Sequence, residues 1–380
     1  MKAGDEVVVD RAGLDRLVDA LHARGMRTVG PVVRDGAILH DELTSPADMP
    51  EGWHDTQAPG AYRIVHHDDD PRLFAWAVGP TSLKAQAFPP RAVVWRTTGS
   101  TPQPTEPRPL AVVGARPCEL AGLAVLDAVL AGGRVPDPDY AGRRAGTFVV
   151  AADCGFPSGS CFCVSMGTGP DAGAGYDLAL TELSDDDGHR FLLRVGTERG
   201  AAVAEGLGGR PVTAVDRAAR DTLLDRARAS MGRSLDTEDL PALLAATLEH
   251  PRWDDVAERC LSCGNCTLVC PTCFCADVKD VSDVDGTLER RRTWASCFDV
   301  EHSYLHGGPV RPTVSSRYRQ WLTHKLSTWW DQFDSSGCVG CGRCITWCPV
   351  GIDITEEAAA IRASDGAGAV RESPAGTVDR

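Results

Sequence analysis

One pattern constrains this chain more than any other, because a run of four cysteines occurs twice towards its carboxyl end. Cys260, Cys263, Cys266 and Cys270 come before Pro271, and a second run has the same spacing. The second run consists of Cys338, Cys341, Cys344, Cys348 and Pro349. Three closely spaced thiols can wrap a short loop around one inorganic core, and the fourth, placed before a proline, points away from them. The repeat predicts two metal centres built from one duplicated unit.

This spacing is the bacterial ferredoxin pattern for 4Fe–4S clusters, in which the fourth cysteine of each run ligates the cluster of the other run. We therefore predict crossed ligand sets. The first cluster is assigned Cys260, Cys263, Cys266 and Cys348, and the second is assigned Cys338, Cys341, Cys344 and Cys270. A pair of structural zinc sites is the alternative, but zinc sites usually combine two Cys-x2-Cys pairs across a longer spacer.

Composition limits the cellular compartments and the classes of partner that are expected for this chain. The chain has 15 cysteines, an odd number, and no apolar leader follows Met1-Lys2, so a secreted disulfide framework is not expected. A formal net charge of −14 argues against nucleic acid as a partner. No stretch approaches the ~18 apolar residues of a membrane-spanning helix. We expect a cytoplasmic protein with reduced thiols, no membrane span and no nucleic-acid partner.

The hydrophobic pattern predicts an α+β fold. Apolar runs bounded by Gly or Pro predict strands at 74–78, 93–95, 110–113 and 147–150, and alternation predicts a hairpin over 176–195. We divide the chain into a mixed α/β amino-terminal domain, a helical linker, a mainly helical two-cluster ferredoxin-type domain with a helical insert, and a mobile tail. Their bounds are 1–212, 213–259, 260–356 and 357–380.

Four further cysteines lie where two predicted strands end. Cys118 follows the run 110–113, Cys154 follows the run 147–150, and Cys161 and Cys163 come shortly afterwards. In a doubly wound sheet, the turns after strand carboxyl ends gather on one edge, where ligands bind. We predict that these four thiols hold a third 4Fe–4S cluster. The alternative is that they are scattered buried cysteines, which pack as small hydrophobic side chains.

Three cysteines remain, and we expect Cys273, Cys275 and Cys297 to pack near the first cysteine run. A redox or alternative-ligand role is the second interpretation for them. The segment between the two runs is rich in aromatic residues, which predict an apolar shell around the clusters. They are Trp294, Phe298, Tyr304, Tyr318, Trp321, Trp329, Trp330 and Phe333. The segment also contains Arg290-Arg291-Arg292, for which we favour a solvated helix face over a docking patch or a neutralising collar for the clusters.

Motifs for substrate turnover are absent from the sequence. There is no GxGxxG behind a strand, no GxxxxGK[ST] and no pair of Cys-x2-Cys motifs near the two ends that would ligate nickel and iron. The chain is therefore predicted to hold electrons without a catalytic site of its own, and to need partner subunits.

Several short segments carry a resemblance to a known family. They are Gly79-Pro80 with Lys84, Arg116-Pro117-Cys118-Glu119, Cys161-Phe162-Cys163-Val164-Ser165-Met166-Gly167-Thr168, Cys270-Pro271-Thr272-Cys273-Phe274-Cys275 and Gly337-Cys338-Val339-Gly340-Cys341-Gly342-Arg343-Cys344. With them the chain resembles the 4Fe–4S dicluster-domain family, in particular the beta (iron–sulfur) subunits of cytosolic NAD(P)-linked nickel–iron hydrogenases, or sulfhydrogenases. The electron-transfer subunit of anaerobic sulfite reductase is related to these. The family often has Asp where this chain has Glu119.

The resemblance implies a relay of electrons between a flavin subunit that handles NAD(P)H and a catalytic partner. In the interpretation we favour, the partner is the small and large subunits of a nickel–iron hydrogenase. The alternatives are a partner that is the sirohaem subunit of a sulfite reductase, or a free ferredoxin-like carrier. A third interpretation makes the clusters purely structural, with the protein acting as a scaffold.

Overall fold

The computed structural model of the protein describes residues 1–97, 109–282, 284 and 286–368. Its strands are β1 (Glu6–Val9), β2 (Arg27–Arg34), β3 (Ala37–Glu42), β4 (Trp53–Ala58), β5 (Ala61–His66), β6 (Arg91–Thr97), β7 (Leu110–Ala115), β8 (Thr147–Ala152), β9 (Leu178–Asp185), β10 (Gly188–Val195), β11 (Arg210–Pro211), β12 (Ala276–Ser282), β13 (Leu288–Trp294), β14 (Tyr304–Leu305) and β15 (Gly308–Pro309).

Helices pack against these strands and make up almost half of the described residues in the carboxyl-terminal half. They are α1 (Arg11–Ala23), α2 (Lys84–Ala87), α3 (Pro117–Leu130), α4 (Pro138–Ala145), α5 (Glu198–Ala204), α6 (Ala214–Ala229), α7 (Leu240–Ala246), α8 (Arg252–Arg259), α9 (Asn265–Leu268), α10 (Val314–Thr323), α11 (Trp329–Phe333), α12 (Arg343–Thr346) and α13 (Ile354–Gly368), with a π-helical turn at His324–Thr328 and a 3-10 turn at Pro46–Asp48. The fold is α+β, as predicted.

An eight-stranded mixed sheet organises the amino-terminal half in the order β11-β1-β10-β9-β8-β7-β2-β3. Its centre, β2, β7, β8 and β9, is parallel. Parallel strands need apolar layers on both faces, and every residue of β7 and β8 is buried. Val113 and Val150 face the core that contains α1, whereas Val112 and Val149 face the core that contains α3. As parallel neighbours, β7 and β8 end at the same edge of the sheet, directly before the cysteines that follow them.

Most strand predictions are confirmed. The runs at 93–95, 110–113 and 147–150 lie in β6, β7 and β8, and the predicted hairpin is β9–β10, which pair in antiparallel register. The strand predicted at 74–78 is wrong, because this buried segment pairs with side chains instead of a neighbouring strand. The Glu182 carboxylate accepts hydrogen bonds from the backbone N–H groups of Leu73 and Phe74 at 2.7 and 2.8 Å. The Arg116 guanidinium donates to the carbonyl oxygens of Phe74, Trp76 and Ala77.

The carboxyl-terminal half has its own core. Helices α6, α7 and α8 occupy the segment 213–259, and Trp253 of α8 packs with Tyr318 and Leu322 of α10. The prediction of a mobile tail from residue 357 is wrong for residues 357–368, which belong to α13. Ala358 and Ile361 of this helix are buried in the same core, so the helix has an apolar face to anchor it. Residues 369–380 of the predicted tail lie outside the described residues.

The insert between the two cysteine runs is not wholly helical, contrary to the prediction. Strands β12 and β13 form an antiparallel hairpin within it, and β13 also pairs with β6 of the amino-terminal half. This three-stranded sheet joins segments that the sequence assigned to separate domains. Arg290-Arg291-Arg292 lies on β13, so the predicted helix face is a strand.

Within the described part of the chain, no helix combines the length and the apolar character needed to cross a bilayer.

Candidate metal centres

The two cysteine runs adopt the same local structure. In each, a glycine with φ of 73° precedes a one-turn helix, Gly264 before α9 and Gly342 before α12. A left-handed backbone is accessible to glycine at little cost. The helices carry the third cysteine of each run, Cys266 and Cys344. The sequence repeat is therefore also a structural repeat.

A backbone N–H group is aimed at the first sulfur of each run. Ser262 N donates to Cys260 Sγ at 3.4 Å, and Gly340 N donates to Cys338 Sγ, also at 3.4 Å. Such bonds favour the thiolate, and hydrogen bonds to cluster sulfurs are one determinant of cluster potential. Their recurrence at the same position of both runs is what a pair of related thiolate sites requires.

The first predicted ligand set lines one cavity. Cys260, Cys263, Cys266 and Cys348 all contribute to its wall. Of the four, Cys263 is exposed and the others are half-buried. An aromatic wall completes the cavity, formed by Phe298, Tyr318 and Trp321. The predicted aromatic shell is therefore present here, whereas Tyr304 and Trp330, two of its predicted members, are exposed.

The second predicted set is more deeply placed. Cys270, Cys338 and Cys341 are buried, and Cys344 is half-buried. Cys344 lies within electrostatic range of the other three. Burial raises the pKa of Cys338 to about 12, so this thiol becomes a thiolate only when a cation or metal compensates the charge.

The donor sets fit iron–sulfur cubanes. A cubane takes one thiolate at each of its four irons, so its ligands surround a volume and do not meet at a single point. Within the described residues, no group of three or more His, Cys, Asp or Glu side chains is placed to hold a single metal ion. The polar atoms of Tyr318 and Trp321, Oη and Nε1, are buried and have no partner among the described residues. Sulfurs of a bound cluster accept hydrogen bonds of this kind.

The third predicted set comes together at the edge of the main sheet. Cys118 lies in the first turn of α3, directly after β7, and Cys154 lies two residues after β8, the parallel neighbour of β7. Cys161 and Cys163 follow on a turn. All four are buried, and Cys163 lies within electrostatic range of Cys154 and Cys161. Burial raises the pKa of Cys161 to about 12.

This third set packs directly against the second cysteine run. Phe162 N donates to Gly340 O at 2.8 Å. A Cβ atom added at Gly340 would lie 2.6 Å from Phe162 O, and one at Gly342 would lie 2.4 Å from Ser160 O. Cys341 shares a small buried cluster with two members of the third set, Cys118 and Cys163. Because these glycines have no side chain, the second and third cysteine sets approach each other with only backbone atoms between them.

Buried cations adjoin the thiols, and the sequence analysis assigned none of them a role. Arg317 lies near Cys260, Lys325 near Cys270, Arg343 near Cys118 and Cys341, and Arg116 near Cys154. All four cations are buried. A cubane with four thiolates carries a charge of about −2, which is costly to bury without compensation. Most of these cations are distant in sequence from the cysteines they adjoin, so local spacing does not identify them.

Arg290-Arg291-Arg292 does not supply this compensation, and the collar considered for it is wrong. The Arg290 guanidinium pairs with Asp280, the Arg291 guanidinium with Glu289, and the Arg292 guanidinium with Asp137. All three guanidinium groups form ion pairs with carboxylates on or beside the β12–β13 hairpin.

Arg343 is held in place by a buried carboxylate. Its guanidinium donates to Glu119 Oε1 at 2.8 Å, with both side chains at most 1% exposed. Burial works against the charged carboxylate, but the neighbouring His40 and Arg343 outweigh it and keep the pKa of Glu119 below its usual value. Glu119 therefore serves as the counterion of a cation that lies beside Cys118 and Cys341.

We expect Glu119→Gln to lower the free energy of unfolding by about 3–5 kcal/mol, because removing one partner of a buried ion pair leaves the other charge uncompensated. Anaerobic urea unfolding followed by tryptophan fluorescence measures this. Asp280→Asn, which breaks the solvent-exposed pair with Arg290, is the control and should leave the urea midpoint almost unchanged. Equal midpoints for the two variants would contradict the role assigned to Glu119.

Comparisons with known proteins agree with this geometry. Residues 259–352 match the 4Fe-4S dicluster domain family. Over 243 residues the chain is 35% identical to Sulfhydrogenase 2 subunit beta of Pyrococcus furiosus, an alignment that covers 63% of this chain and 70% of that protein. No solved structure matches the chain.

Proposed function

Because this chain belongs to the family of sulfhydrogenase beta subunits, iron–sulfur proteins with an electron-transfer role, we propose that it relays electrons between a flavin subunit that handles NAD(P)H and the nickel–iron catalytic subunits of a hydrogenase. The bound clusters would supply the one-electron carriers. The protein's own residues would hold the clusters, exclude water from them and set their charge balance.

The observation that carries this proposal is the contact of the second thiol set with both of the others. Cys344 of the second set lines the cavity of the first set. Cys341 of the second set packs with Cys118 and Cys163 of the third set. Three centres placed in this order form a continuous path through the protein. A chain that only stored clusters, or used them as structural supports, would not require the three centres to lie one after another in space.

We assign the first cluster to Cys260, Cys263, Cys266 and Cys348, and the second to Cys338, Cys341, Cys344 and Cys270. We assign a third 4Fe–4S cluster to Cys118, Cys154, Cys161 and Cys163. Cys263 is exposed, so the first cluster is the end of the path that a partner reaches most readily from this side. The third lies at the sheet edge, enclosed by the amino-terminal half.

The test is anaerobic purification of the affinity-tagged chain from the cells that produce it. We expect a flavoprotein and two hydrogenase subunits to co-purify, together with nickel. Recovery of a sirohaem protein in place of nickel would overturn the hydrogenase assignment in favour of a sulfite reductase. Recovery of the chain alone, with reducible clusters, would support a free carrier and overturn the proposed place in a complex.

Lys325 gives a prediction about the energetics of the relay. Its Nζ lies 3.3 Å from Cys270 Sγ and also donates to Thr272 Oγ1 and Gly337 O, all within a buried environment. A fixed positive charge favours the reduced, more negative cluster. We expect Lys325→Met to lower the potential of the second cluster by on the order of 100 mV. Potentiometric titration followed by electron paramagnetic resonance measures the change.

Lys325→Arg is the matched control, since it retains the positive charge. Its second-cluster potential should remain close to that of the unmodified protein. An equal shift in both variants would show that packing around Cys270, and not the charge of Lys325, determines the potential.

A further inference from the structure

Tyr318 carries a polar atom that has no partner among the described residues. The residue is 2% exposed, and its Oη forms no hydrogen bond within the described part of the chain. A buried hydroxyl without a hydrogen bond is costly, and such groups are rare in native proteins. The atom therefore indicates an acceptor that is bound to the protein in its working state.

The surroundings of Tyr318 limit what that acceptor can be. Tyr318 lines the cavity of the first thiol set, and none of the described residues on the wall of this cavity has a charged side chain. Apart from the Tyr318 hydroxyl, the polar side-chain groups on this wall are the thiols and the indole N–H of Trp321. An indole N–H is only a donor. Among the described residues of the wall, the side-chain atoms that can accept are therefore sulfurs.

Helix α10 is tied to the first cysteine run directly beside Tyr318. The Arg317 guanidinium donates to Ser262 Oγ at 3.3 and 3.2 Å, and Ser262 N donates to Cys260 Sγ at 3.4 Å. Ser262 Oγ in turn donates to Phe298 O at 3.0 Å. This network fixes the position of the helix, and with it the position of Tyr318, relative to the thiols of the first set.

Three aromatic neighbours hold the ring of Tyr318. The ring centroids of Trp321, Phe298 and Trp253 lie 5.5, 6.2 and 6.4 Å from its own. A ring packed among other rings in a core has little freedom to carry its hydroxyl to a distant acceptor. The hydroxyl is therefore held at the cavity before any group binds there, and little further ordering is required to form a hydrogen bond.

A carboxylate that could compete for the hydroxyl is already engaged. Glu357 lies within electrostatic range of Tyr318, but it forms ion pairs with Arg252 and Arg259 at 2.5 and 2.6 Å. No hydrogen bond joins it to Tyr318 Oη. Two thiols of the first set lie within the same electrostatic range.

Trp321 shares the unpartnered donor but has different surroundings. Its Nε1 is buried and has no partner among the described residues. Its side chain lines the cavity of the first set and also a neighbouring cavity, whose wall includes Cys273, Cys275 and Cys297. Tyr318 lines only the first of these two cavities, so the geometry assigns Tyr318, and not Trp321, to the first thiol set.

We propose that Tyr318 donates a hydrogen bond from Oη to a sulfur of the first cluster and thereby raises the potential of that cluster. The inference rests on the proposed relay function, which assigns this cluster to Cys260, Cys263, Cys266 and Cys348. Reduction makes a cluster more negative, and a hydrogen bond to sulfur stabilises the more negative state more strongly. Loss of the donor therefore favours the oxidised state.

The test compares Tyr318→Phe with the unmodified chain, both purified anaerobically with their clusters. This substitution removes one oxygen atom and keeps the ring. In a potentiometric titration followed by electron paramagnetic resonance, we expect the equilibrium constant for reduction of the first cluster to fall about 10-fold. For a one-electron couple this is a shift of about 59 mV to lower potential. Iron content and the potential of the second cluster should be unchanged.

A second readout detects the hydrogen bond itself. After exchange into D2O, pulsed electron paramagnetic resonance of the reduced first cluster should show an exchangeable deuteron strongly coupled to it. Tyr318→Phe should lack this coupling. A change of packing around the cluster would move the potential without removing a coupled deuteron, so the two readouts together isolate the hydroxyl.

Tyr140→Phe is the matched control. Tyr140 is fully buried, and its hydroxyl donates to Asp127 Oδ1 at 2.6 Å, away from the described wall of the first cavity. This variant undergoes the same chemical change and should leave the potential and the deuteron coupling as they are in the unmodified chain. Equal shifts in the two variants would overturn the inference, because the loss of any buried hydroxyl would then suffice.

Two further outcomes would overturn the inference and leave the relay intact. One is a first cluster in Tyr318→Phe that is reduced reversibly at an unchanged potential. The other is a shifted potential with the deuteron coupling retained, which would mean that Tyr318 acts through packing alone. Failure of the proposed function has a different signature, because the unmodified chain would then hold no reducible cluster at these four cysteines. The hydrogen bond would be overturned together with it.

Discussion

Replacing Cys348 by serine should remove the cluster that we assign to Cys260, Cys263, Cys266 and Cys348, and leave intact the cluster assigned to the other three cysteines of its own run. The reason is the cavity geometry, in which Cys348 faces the first cysteine run across the fold. Serine is a poor ligand for iron–sulfur clusters, which select soft thiolates. Iron should fall by about four atoms per chain. Iron and sulfide analysis, with low-temperature electron paramagnetic resonance, identifies which signal is lost.

The matched variant is Cys270→Ser, which should have the opposite effect. It should remove the cluster of Cys338, Cys341 and Cys344 and leave the other signal unchanged. The two clusters are distinguishable because Lys325 contacts only the second set among the described contacts, so Lys325→Met shifts only one of the two signals. If each serine variant instead lost the cluster of its own run, the crossed assignment would be wrong.

Replacing Cys161 by serine should reduce the iron content from about twelve to about eight atoms per chain. Cys161 is buried with Cys154 and Cys163 in the third set. None of these three cysteines is among the described residues that line the cavity of the first set. The two ferredoxin-type signals should persist. The sulfide content should fall in parallel with the iron content, because each cubane contains equal numbers of both.

The control for this variant is Ser158→Ala. Ser158 Oγ lies 3.1 Å from Cys161 Sγ, so the change disturbs the same turn without removing a thiol. It should retain about twelve irons. A content of about eight irons in the unmodified chain, after anaerobic reconstitution, would show that the third set binds no cluster.

The sequence predicted the parts of this protein that depend on local spacing. The duplicated run predicted a repeated loop around each set of three thiols, and the structure repeats it, although the one-turn helix that follows the glycine of each run was not predicted. The strands β7 and β8 were also predictable, since their continuous apolar runs indicate burial on both faces. The position of Cys118 and Cys154 after those strands then follows from the topology of a parallel sheet.

Features that depend on contacts between distant residues were not predictable. The segment 74–78 has an apolar composition typical of a strand, but Glu182 and Arg116 satisfy its backbone groups from other elements. The hairpin β12–β13 pairs with β6, which lies far away in sequence. Helix α13 has a weak local signal, and it is stabilised by the core into which Ile361 packs. The buried cations beside the thiols also depend on contacts between distant residues, so they were not predictable either.

Arg343 illustrates why such residues escape sequence analysis. It lies between Gly342 and Cys344, where an arginine has no evident partner in the neighbouring sequence. Only the fold shows that Glu119, from the amino-terminal half, pairs with it at 2.8 Å. The pair ties the second cysteine run to the helix that begins beside Cys118, and so links two thiol sets electrostatically as well as by packing.

The central claim is that the clusters carry electrons in the order first, second, third. A potentiometric titration of the anaerobically purified chain, followed by electron paramagnetic resonance, is its most direct test. We predict reversible one-electron reductions within the span of roughly −700 to +450 mV that protein clusters cover, with signals broadened by magnetic interaction between adjacent clusters. Metal centres that stay silent over this range, or that contain zinc in place of iron, would contradict the relay.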